Sequence, residues 1–498
     1  MKALQMTPFE TELLRRLAAA ERENVLLRQK LEFLIRRMFG SRSEKISQDQ
    51  LELLLAGPEV PVPPAEPKPV AAAKRSRKER TQRLPENLPV VEEVLEPEVV
   101  QAEPEQWRRI GEEVSEQLDY EPGRFFRRRL VRPKYVHKTN RDLAPVVAAL
   151  PERLLERSLP APGLLAHVLV SKYCDHLPLY RQEGIYSSRH GVQLPRQTLA
   201  RWVGLAADWL QPIYQAIRTG VLSGGYVQVD ETPIEYLDPG RGRTGQGWLW
   251  TASRPGGEVV FQWATSRAAS CLGNLLPADF TGTLQCDGYG AYPAFVREHP
   301  QPIVLAGCWA HVRRKFHEAR EQLPQLSGWF LGQIQQLYRI EAILREQKAG
   351  PELRAAVRAS QSRMVVERFH RALVRVQTRS LPRSLLGTAI AYALGQWPGM
   401  TVYLDDGRVE VDNNLVENAI RPTALGKKNW LFVGEAGAGQ RGAILYTLIE
   451  SCRRCGINPY AYLRDVLTRL PNMTNHQVID LTPANWGKSA AAQARLAA

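Results

Sequence analysis

The sequence predicts a mixed α/β protein. Its sheet begins at about residue 226, with an elongated helical head before it and a helical insertion within it. Three observations carry that prediction. Apolar residues repeat in steps of four and three from Leu13 to Met38. Between Tyr226 and Trp309, short apolar runs are separated first by a turn and then by helical stretches. From about 320 to 400 helical periodicity replaces the strand pattern, and an acidic motif follows only afterwards, at 411–422.

The chain has 498 residues, 44% of them hydrophobic and 24% charged, which is room for about three domains with buried cores. A net charge of +14 and a pI near 9.6 suit a polyanionic partner, DNA or RNA. The opening "MKALQMTPFETELLRRL" is charged from its start and does not read as a secretory leader. No apolar run approaches membrane-spanning length. Six cysteines in so long a chain make no disulfide framework. A reducing, cytoplasmic setting is expected.

In the head, residues 1–56, Leu17, Asn24, Leu31 and Met38 occupy a positions and Leu13, Ala20, Leu27 and Leu34 occupy d positions. Asn24 at an a position suits a parallel dimer; the competing reading is one amphipathic helix packed on its own protein. Residues 57–85 are Pro-rich and then basic, a semi-rigid linker. Its "KRSRKER" is either solvated or a phosphate contact. Residues 86–150 form a small segment rich in Glu, Arg and aromatics, in which "FFRRRLVRPKYV" has strand-like composition. Residues 151–220 read as helical. There "LPRQTLARWVGLAADWL" is compatible with a helix-turn-helix offering Gln197 and Arg201 to a groove, and equally with an ordinary helical hairpin.

The core is expected over 221–435. "YVQVDETPIEYL" is a strand with Tyr226, Gln228 and Asp230 on one face and Val227 and Val229 on the other. "GWLWTAS" and "EVVFQWATS" flank "RPGG" as a hairpin. Then come helical "RAASCLGNLL", a strand in "GTLQCDGYGAY" ending at Asp287, a strand in "PIVLAGCW", and the basic helix "AHVRRKFHEAREQL". Three strands, helix, strand, helix, strand, helix is the order of a ribonuclease-H-like fold, a mixed sheet with helices on both sides. Residues 436–498 form a C-terminal helical region and tail.

Asp230 and Asp287 end two of these strands. In "VDNNLVENAIRP", Asn413 or Asn414 suits a helix N-cap, and Glu417, three residues after Asn414, suits the partner acid of a capping box. If that helix packs beside the strand ends, the three carboxylates converge. Converging carboxylates repel and are costly to bury, which divalent cations relieve. Hard oxygen ligands suit Mg²⁺ or Mn²⁺, and two ions about 4 Å apart serve an in-line phosphoryl displacement. Glu231 points to the opposite face. Asp405, Asp406, Glu410 and Asp412 are rival third acids, ranked lower because "VYLDDGRVEV" reads as a turn between extended segments.

The motifs "FGSRSEK", "GEEVSEQLDY", "HVLVSKYCDHLPLYRQE", "VQVDETP", "QCDGYGAY", "GCWAHVRRKF", "VDNNLVENAIRP" and "PYAYLRDVLTRLP" resemble, in this order and over nearly the whole chain, the large transposase of the insertion sequence sixty-six family. The resemblance implies a DDE transposase, with Asp230, Asp287 and Glu417 at its metal-binding catalytic positions. It implies cleavage at element ends followed by strand transfer. It further implies terminal inverted repeats and target DNA as partners, small helper proteins from the same element, an assembly of at least a dimer, and a bacterial, nucleoid-associated location. Near the core, His311, Arg313 and Arg314 are candidate phosphate contacts, although His311 equally suits a core histidine. Arg421, Lys427 and Lys428, beside the catalytic helix, are candidates for positioning the DNA strand.

The family usually carries a zinc module with two Cys-x-x-Cys pairs before the central domain. Here those positions fall near Val100, Glu103, His137 and Asn140, none of them Cys. The module over 86–150 is therefore a degenerate one, and no structural zinc is expected. Cys308 with His311 has ligand-like spacing but lacks a second pair. Cys452 and Cys455 lie near the end of a helical pattern closed by Gly456, where the spacing reads as accidental. Two other functions compete. One is a decayed transposase, a non-catalytic DNA-binding coiled-coil dimer; the other is a hydrolase working with two carboxylates and no metal.

Overall fold

The computed structural model describes residues 123–135, 146–147, 152, 154, 160–238 and 242–489. The predicted coiled coil, the linker and the four former zinc positions lie outside the described residues. Of the strand-like stretch Phe125–Val136, only Lys134–Tyr135 pairs, antiparallel with Val146–Val147. Its run of arginines offers no apolar alternation to bury, and Phe126 and Val131 are exposed.

Helix α1 (Pro162–Tyr173) and helix α2 (Leu179–His190) lead into helix α3 (Arg196–Leu222). Gly191 ends α2 in the left-handed region (φ 64°), which costs a glycine little. Along α3, Leu199, Trp202, Val203, Ala206, Leu210, Ile213, Tyr214 and Ile217 recur at helical spacing and are buried. Gln197 and Arg201 are on its exposed face. The inner face packs on the sheet, where the Tyr214 hydroxyl donates to Gln262 Oε1 (2.7 Å).

Six strands form the sheet: β1 (Tyr226–Leu237), β2 (Thr244–Ser253), β3 (Val259–Ala264), β4 (Gly282–Gln285), β5 (Ile303–Ala306) and β6 (Phe432–Glu435). Their order is β3-β2-β1-β4-β5, with β6 paired to the far end of β1. The first three strands are antiparallel, and β4, β5 and β6 add in parallel. This is the ribonuclease-H-like pattern. The β2–β3 hairpin turns at Arg254–Gly257, where Gly257 N–H reaches the Arg254 carbonyl (3.0 Å). β1 is central and covered on both faces; Val227, Gln228 and Val229 are fully buried.

After β4 come helix α4 (Ala291–Glu298), β5 and helix α5 (Trp309–Ala319). The insertion follows as α6 (Pro324–Glu346), α7 (Pro351–Val357), a π turn at Arg358–Ser362, α8 (Arg363–Gln377), α9 (Leu385–Gly395) and α10 (Trp397–Asp405). It has no separate core. Phe330, Phe369, Ile390 and Tyr403 pack with Trp309 and Phe316 of α5 in one cluster, so the insertion braces the helix that bears His311, Arg313 and Arg314. Residues 402–405, expected to be extended, are the last turn of α10, because Tyr403 and Leu404 face this cluster.

Helix α11 (Asn414–Trp430) carries Glu417, and α12 (Ala436–Arg454) and α13 (Pro459–Arg469) complete the fold. α12 covers the outer edge of β3. The hydroxyls of Thr447 and Ser451 accept from Phe261 N–H (2.9 Å) and Val259 N–H (3.2 Å), satisfying edge groups a further strand would otherwise pair. Cys452 is buried on α12, whereas Cys455 is exposed at the helix end before Gly456. Among the described residues no helix is long and apolar enough to cross a membrane.

Candidate active site

Gln228 and Gln285 are register partners on the parallel strands β1 and β4. Asp230 and Asp287 each follow two residues later, on strands about 4.8 Å apart. Asp287 lies just beyond the end of β4, but Asp230 does not end its strand as expected: β1 runs on to Leu237, because Glu231 to Leu237 pair with β2. Asp230 Oδ1 accepts from Glu231 N–H (2.9 Å), and Asp287 Oδ1 accepts from Tyr289 N–H (2.9 Å). Gly288 is required in that turn, since a Cβ there would meet the Tyr392 ring at 2.7 Å.

Glu417 lies in the first turn of α11. The expected capping box does not form. Asn413 is the N-cap, its side chain caps nothing, and Glu417 falls one residue too far along for the reciprocal bond. Asp412 serves instead, its Oδ1 accepting from Asn414 N–H (3.1 Å) and its Oδ2 from Asn414 Nδ2 (2.8 Å). Glu417 Oε1 is buried and finds no hydrogen-bond partner among the described residues. His311 Nε2 is 3.8 Å from it. One ligand atom each of Cys308, His311 and Glu417 lies within 4.8 Å of the others.

The three acids are electrostatically coupled. Burial, then the charge of Glu231, then those of Glu417 and Asp287 push the Asp230 carboxyl up to about 8. Glu231 is on the opposite face and fully engaged: Arg267 Nε and Nη2 donate to its Oε1 (2.8 and 2.6 Å), and the Tyr292 hydroxyl donates to Oε2. Arg267 in turn stacks on Tyr289 (3.7 Å) and Trp248 (4.7 Å).

The rival third acids are all paired. Arg363 holds Asp405 and Arg408 holds Asp406. Arg345 and Arg354 hold Glu410 (3.1 and 2.8 Å). Asp412 takes its cap bonds and the Tyr338 hydroxyl (2.7 Å).

A cavity of about 520 Å³ opens from Glu417 and is lined by Arg313, Arg314, His317, Tyr338, Asn414 and Arg421, among others. It unites three of the predicted basic residues with the third acid. Lys427 and Lys428 do not join it. They sit about 15 Å further along α11 at 1.5 Å per residue, and Lys427 Nζ donates to the Pro233 carbonyl on β1 (3.0 Å). Arg201, on α3, does not line it either. His317 and Tyr338 escaped the sequence reading. His317 was within reach, being one turn beyond Arg313 on the same basic helix. Tyr338 comes from the insertion, and nothing local marks it.

A model of the Transposase IS66 family matches residues 157–441, more than half of the chain. The chain belongs to the IS66 transposase family. The IS66 C-terminal element matches at 447–484, and a model described as transposase C of IS166 homeodomain matches at 26–92. Similar proteins from Sinorhizobium fredii (strain NBRC 101917 / NGR234) include the uncharacterized protein y4qI, 37% identical over 77% of this chain and 73% of its own length. The uncharacterized protein y4jD is 34% identical over 94% of this chain and 96% of its own length.

This DDE transposase family generally uses divalent metal ions, and the residues present fit such ions. Carboxylate oxygens are donors of the kind such ions take, and Glu417 Oε1 is buried without a hydrogen bond; among the described residues the ligand atoms grouped with it are those of Cys308 and His311, and the aspartates are not in that group.

Proposed function

We propose that this IS66 family member is a metal-dependent DNA transposase that cuts DNA at the ends of its element and joins the freed end to target DNA. Asp230, Asp287 and Glu417 are its metal-binding catalytic residues. The observation that carries the reading is the contrast among the acids. Glu417 retains a buried oxygen with no hydrogen bond, 3.8 Å from His311, and its charge bears on Asp230, while Asp405, Asp406, Glu410 and Asp412 are each held by closer partners.

Mg²⁺ or Mn²⁺, as two ions held by the three carboxylates, would act as Lewis acids on the reacting phosphate. In cleavage, water attacks the phosphorus at the element end and the 3′-oxygen leaves. In transfer, that 3′-hydroxyl attacks a target phosphorus and displaces the target's own 3′-oxygen. Arg313, Arg314 and Arg421 orient the strand through its phosphates, two oxygens at a time. The Glu231–Arg267–Tyr292 group braces β1 beside Asp230 from the opposite face. Arg201, Lys427 and Lys428 are further contacts for DNA outside the cavity. The head dimerises the chain, and helper proteins of the same element join the assembly.

The test is incubation of the purified full chain with element-end DNA, with and without its helpers, in Mg²⁺ or Mn²⁺. Cleavage that a chelator and Asp287→Ala both abolish is expected. Tight DNA binding without cleavage, even with helpers, would return the chain to the non-catalytic DNA-binding reading. Separately, Arg313→Gln, Arg314→Gln and Arg421→Gln should each weaken DNA binding evenly across sequences. Each should reduce the slope of log affinity against log salt by roughly one. An unchanged slope in salt titrations would remove these arginines from the DNA path.

A further inference from the structure

Behind the candidate site, polar side chains do what backbone pairing does elsewhere in the sheet. The segment Glu410–Asp412 is buried yet belongs to no strand. Its backbone groups need partners, and they come from β1, β4 and α5. Gln228 Nε2 donates to the Asp412 carbonyl (2.8 Å), and Gln285 Nε2 donates to the Glu410 carbonyl (2.8 Å). Glu410 N–H donates to the Tyr226 hydroxyl (3.0 Å), and Trp309 N–H donates to the Val411 carbonyl (3.2 Å).

These side chains also bind one another. Gln285 Oε1 accepts from the Tyr226 hydroxyl (2.6 Å) and from Gln228 Nε2 (2.9 Å). Gln285 Nε2 has a second acceptor in the Gly307 carbonyl (3.0 Å), so this amide is saturated. Gln228 and Gln285 are 0% exposed. An apolar pair would pack there without desolvation cost, but it would leave the carbonyls of Glu410 and Asp412 unpaired.

The placement of the lattice ties it to the acids. Gln228 is two residues before Asp230 and shares its face, and Gln285 is two residues before Asp287. The segment they hold runs directly into α11, whose first turn bears Glu417. One lattice therefore touches the two strands that bear the aspartates and the lead-in to the glutamate. Building on the catalytic reading above, we propose that Gln228, Gln285 and Tyr226 are positioning residues that set Glu417 at its working distance from Asp230 and Asp287. A displacement of about 1 Å at such a site is worth roughly a hundredfold in rate.

The experiment measures Mn²⁺ binding to the full chain by the electron-paramagnetic-resonance signal of free Mn²⁺, with DNA affinity and cleavage alongside. Gln285→Met keeps the volume and removes the amide; Tyr226→Phe removes one hydroxyl and keeps both glutamines. Each is expected to weaken Mn²⁺ binding about 10- to 100-fold and to lower kcat for cleavage. Circular dichroism, DNA affinity and KM should match wild type. Wild-type Mn²⁺ binding in both variants, with Asp287→Ala deficient, would overturn the positioning role and leave the catalytic reading standing. Failure of the wild type to bind Mn²⁺, or undiminished binding by Asp287→Ala, would overturn the catalytic reading and the positioning role with it. Loss of helical signal or DNA affinity in both variants would make the lattice a folding element and also overturn the proposal.

Discussion

Asp230→Asn is expected to abolish cleavage and, in the same preparation, to stabilise the metal-free protein. Asparagine keeps the shape of the side chain but brings no charge to a place where burial, Glu231, Glu417 and Asp287 all disfavour one. The folded-state value is raised to about 8, against roughly 3.9 in an unfolded chain. Between those values the unfolded chain has released a proton that the folded protein still holds. Stability therefore falls as pH rises from about 4 to about 8 and levels off above that. Asp230→Asn removes this contribution. In chelator its advantage in stability should grow across that window, reaching on the order of a few kcal/mol, and its melting temperature should rise relative to wild type accordingly. Mn²⁺ should reverse the order, because a ligand that binds only the folded wild type stabilises it by mass action. Thermal melts at several pH values, with and without Mn²⁺, check this. Equal melting of both proteins at pH 8 in chelator would show that the carboxylates are not held together against their repulsion. Cleavage by Asp230→Asn would remove this residue from the catalytic set.

The largest loss of stability is expected at Arg358. This guanidinium is fully buried, in the π turn between α7 and α8. Its Nε and Nη2 donate to the two oxygens of Glu341 (2.7 and 2.8 Å). Its Nη1 serves the carbonyls of Tyr403 (2.8 Å), Asp406 (3.1 Å) and Val409 (2.8 Å). Burial alone would raise Glu341, yet its bonds to Arg358 and Arg354 hold it below the usual carboxylate range. Arg358→Ala would leave that carboxylate poorly compensated and take their donor from the Tyr403 and Val409 carbonyls, the Asp406 carbonyl keeping the Val409 N–H (3.1 Å), at about 3–5 kcal/mol. Arg358→Lys should recover little, since one ammonium cannot reproduce the fork. The double variant Arg358→Met with Glu341→Gln should lose less than Arg358→Ala, because no lone charge remains. Denaturant unfolding of the three variants measures these differences. A cost below about 1 kcal/mol for Arg358→Ala would show the network to be marginal. The loss should reach function, because Val409 begins the segment that leads to Glu417.

Much of this was legible in the amino acids. Strands β1, β2 and β3 announce themselves by alternation and by the "RPGG" turn, and the insertion by helical periodicity, because both signals are local. The position of Asp287 just past β4 followed from the same pattern, but Asp230, expected to end its strand, lies within β1, which pairing with β2 carries on to Leu237. Local signals failed where a distant element decided. "VYLDDGRVEV" looked extended because its apolar residues alternate, but Tyr403 and Leu404 are drawn into the cluster around Phe369 as the last turn of a helix. Asn414 and Glu417 have capping-box spacing, but Asp412 takes the cap because the helix begins one residue earlier than that motif requires.

The sequence by itself determined the fold class, the order of strands and helices along the chain through α5, the family resemblance and a short set of acids from which a metal site could be built; the sixth strand, Phe432–Glu435, came only with the structure. The tertiary structure alone decided which acid near 405–417 keeps a free oxygen. Glu410 and Asp412 are occupied by Arg345, Arg354 and Tyr338, all from the helical insertion. The buried lattice of Gln228, Gln285 and Tyr226 likewise became visible only once two strands and a segment far along the chain were brought together. The physical reason is common to both. Hydrophobic periodicity reports which face of an element is buried, whereas the pairing of a buried polar group depends on what the rest of the chain brings within about 3 Å of it.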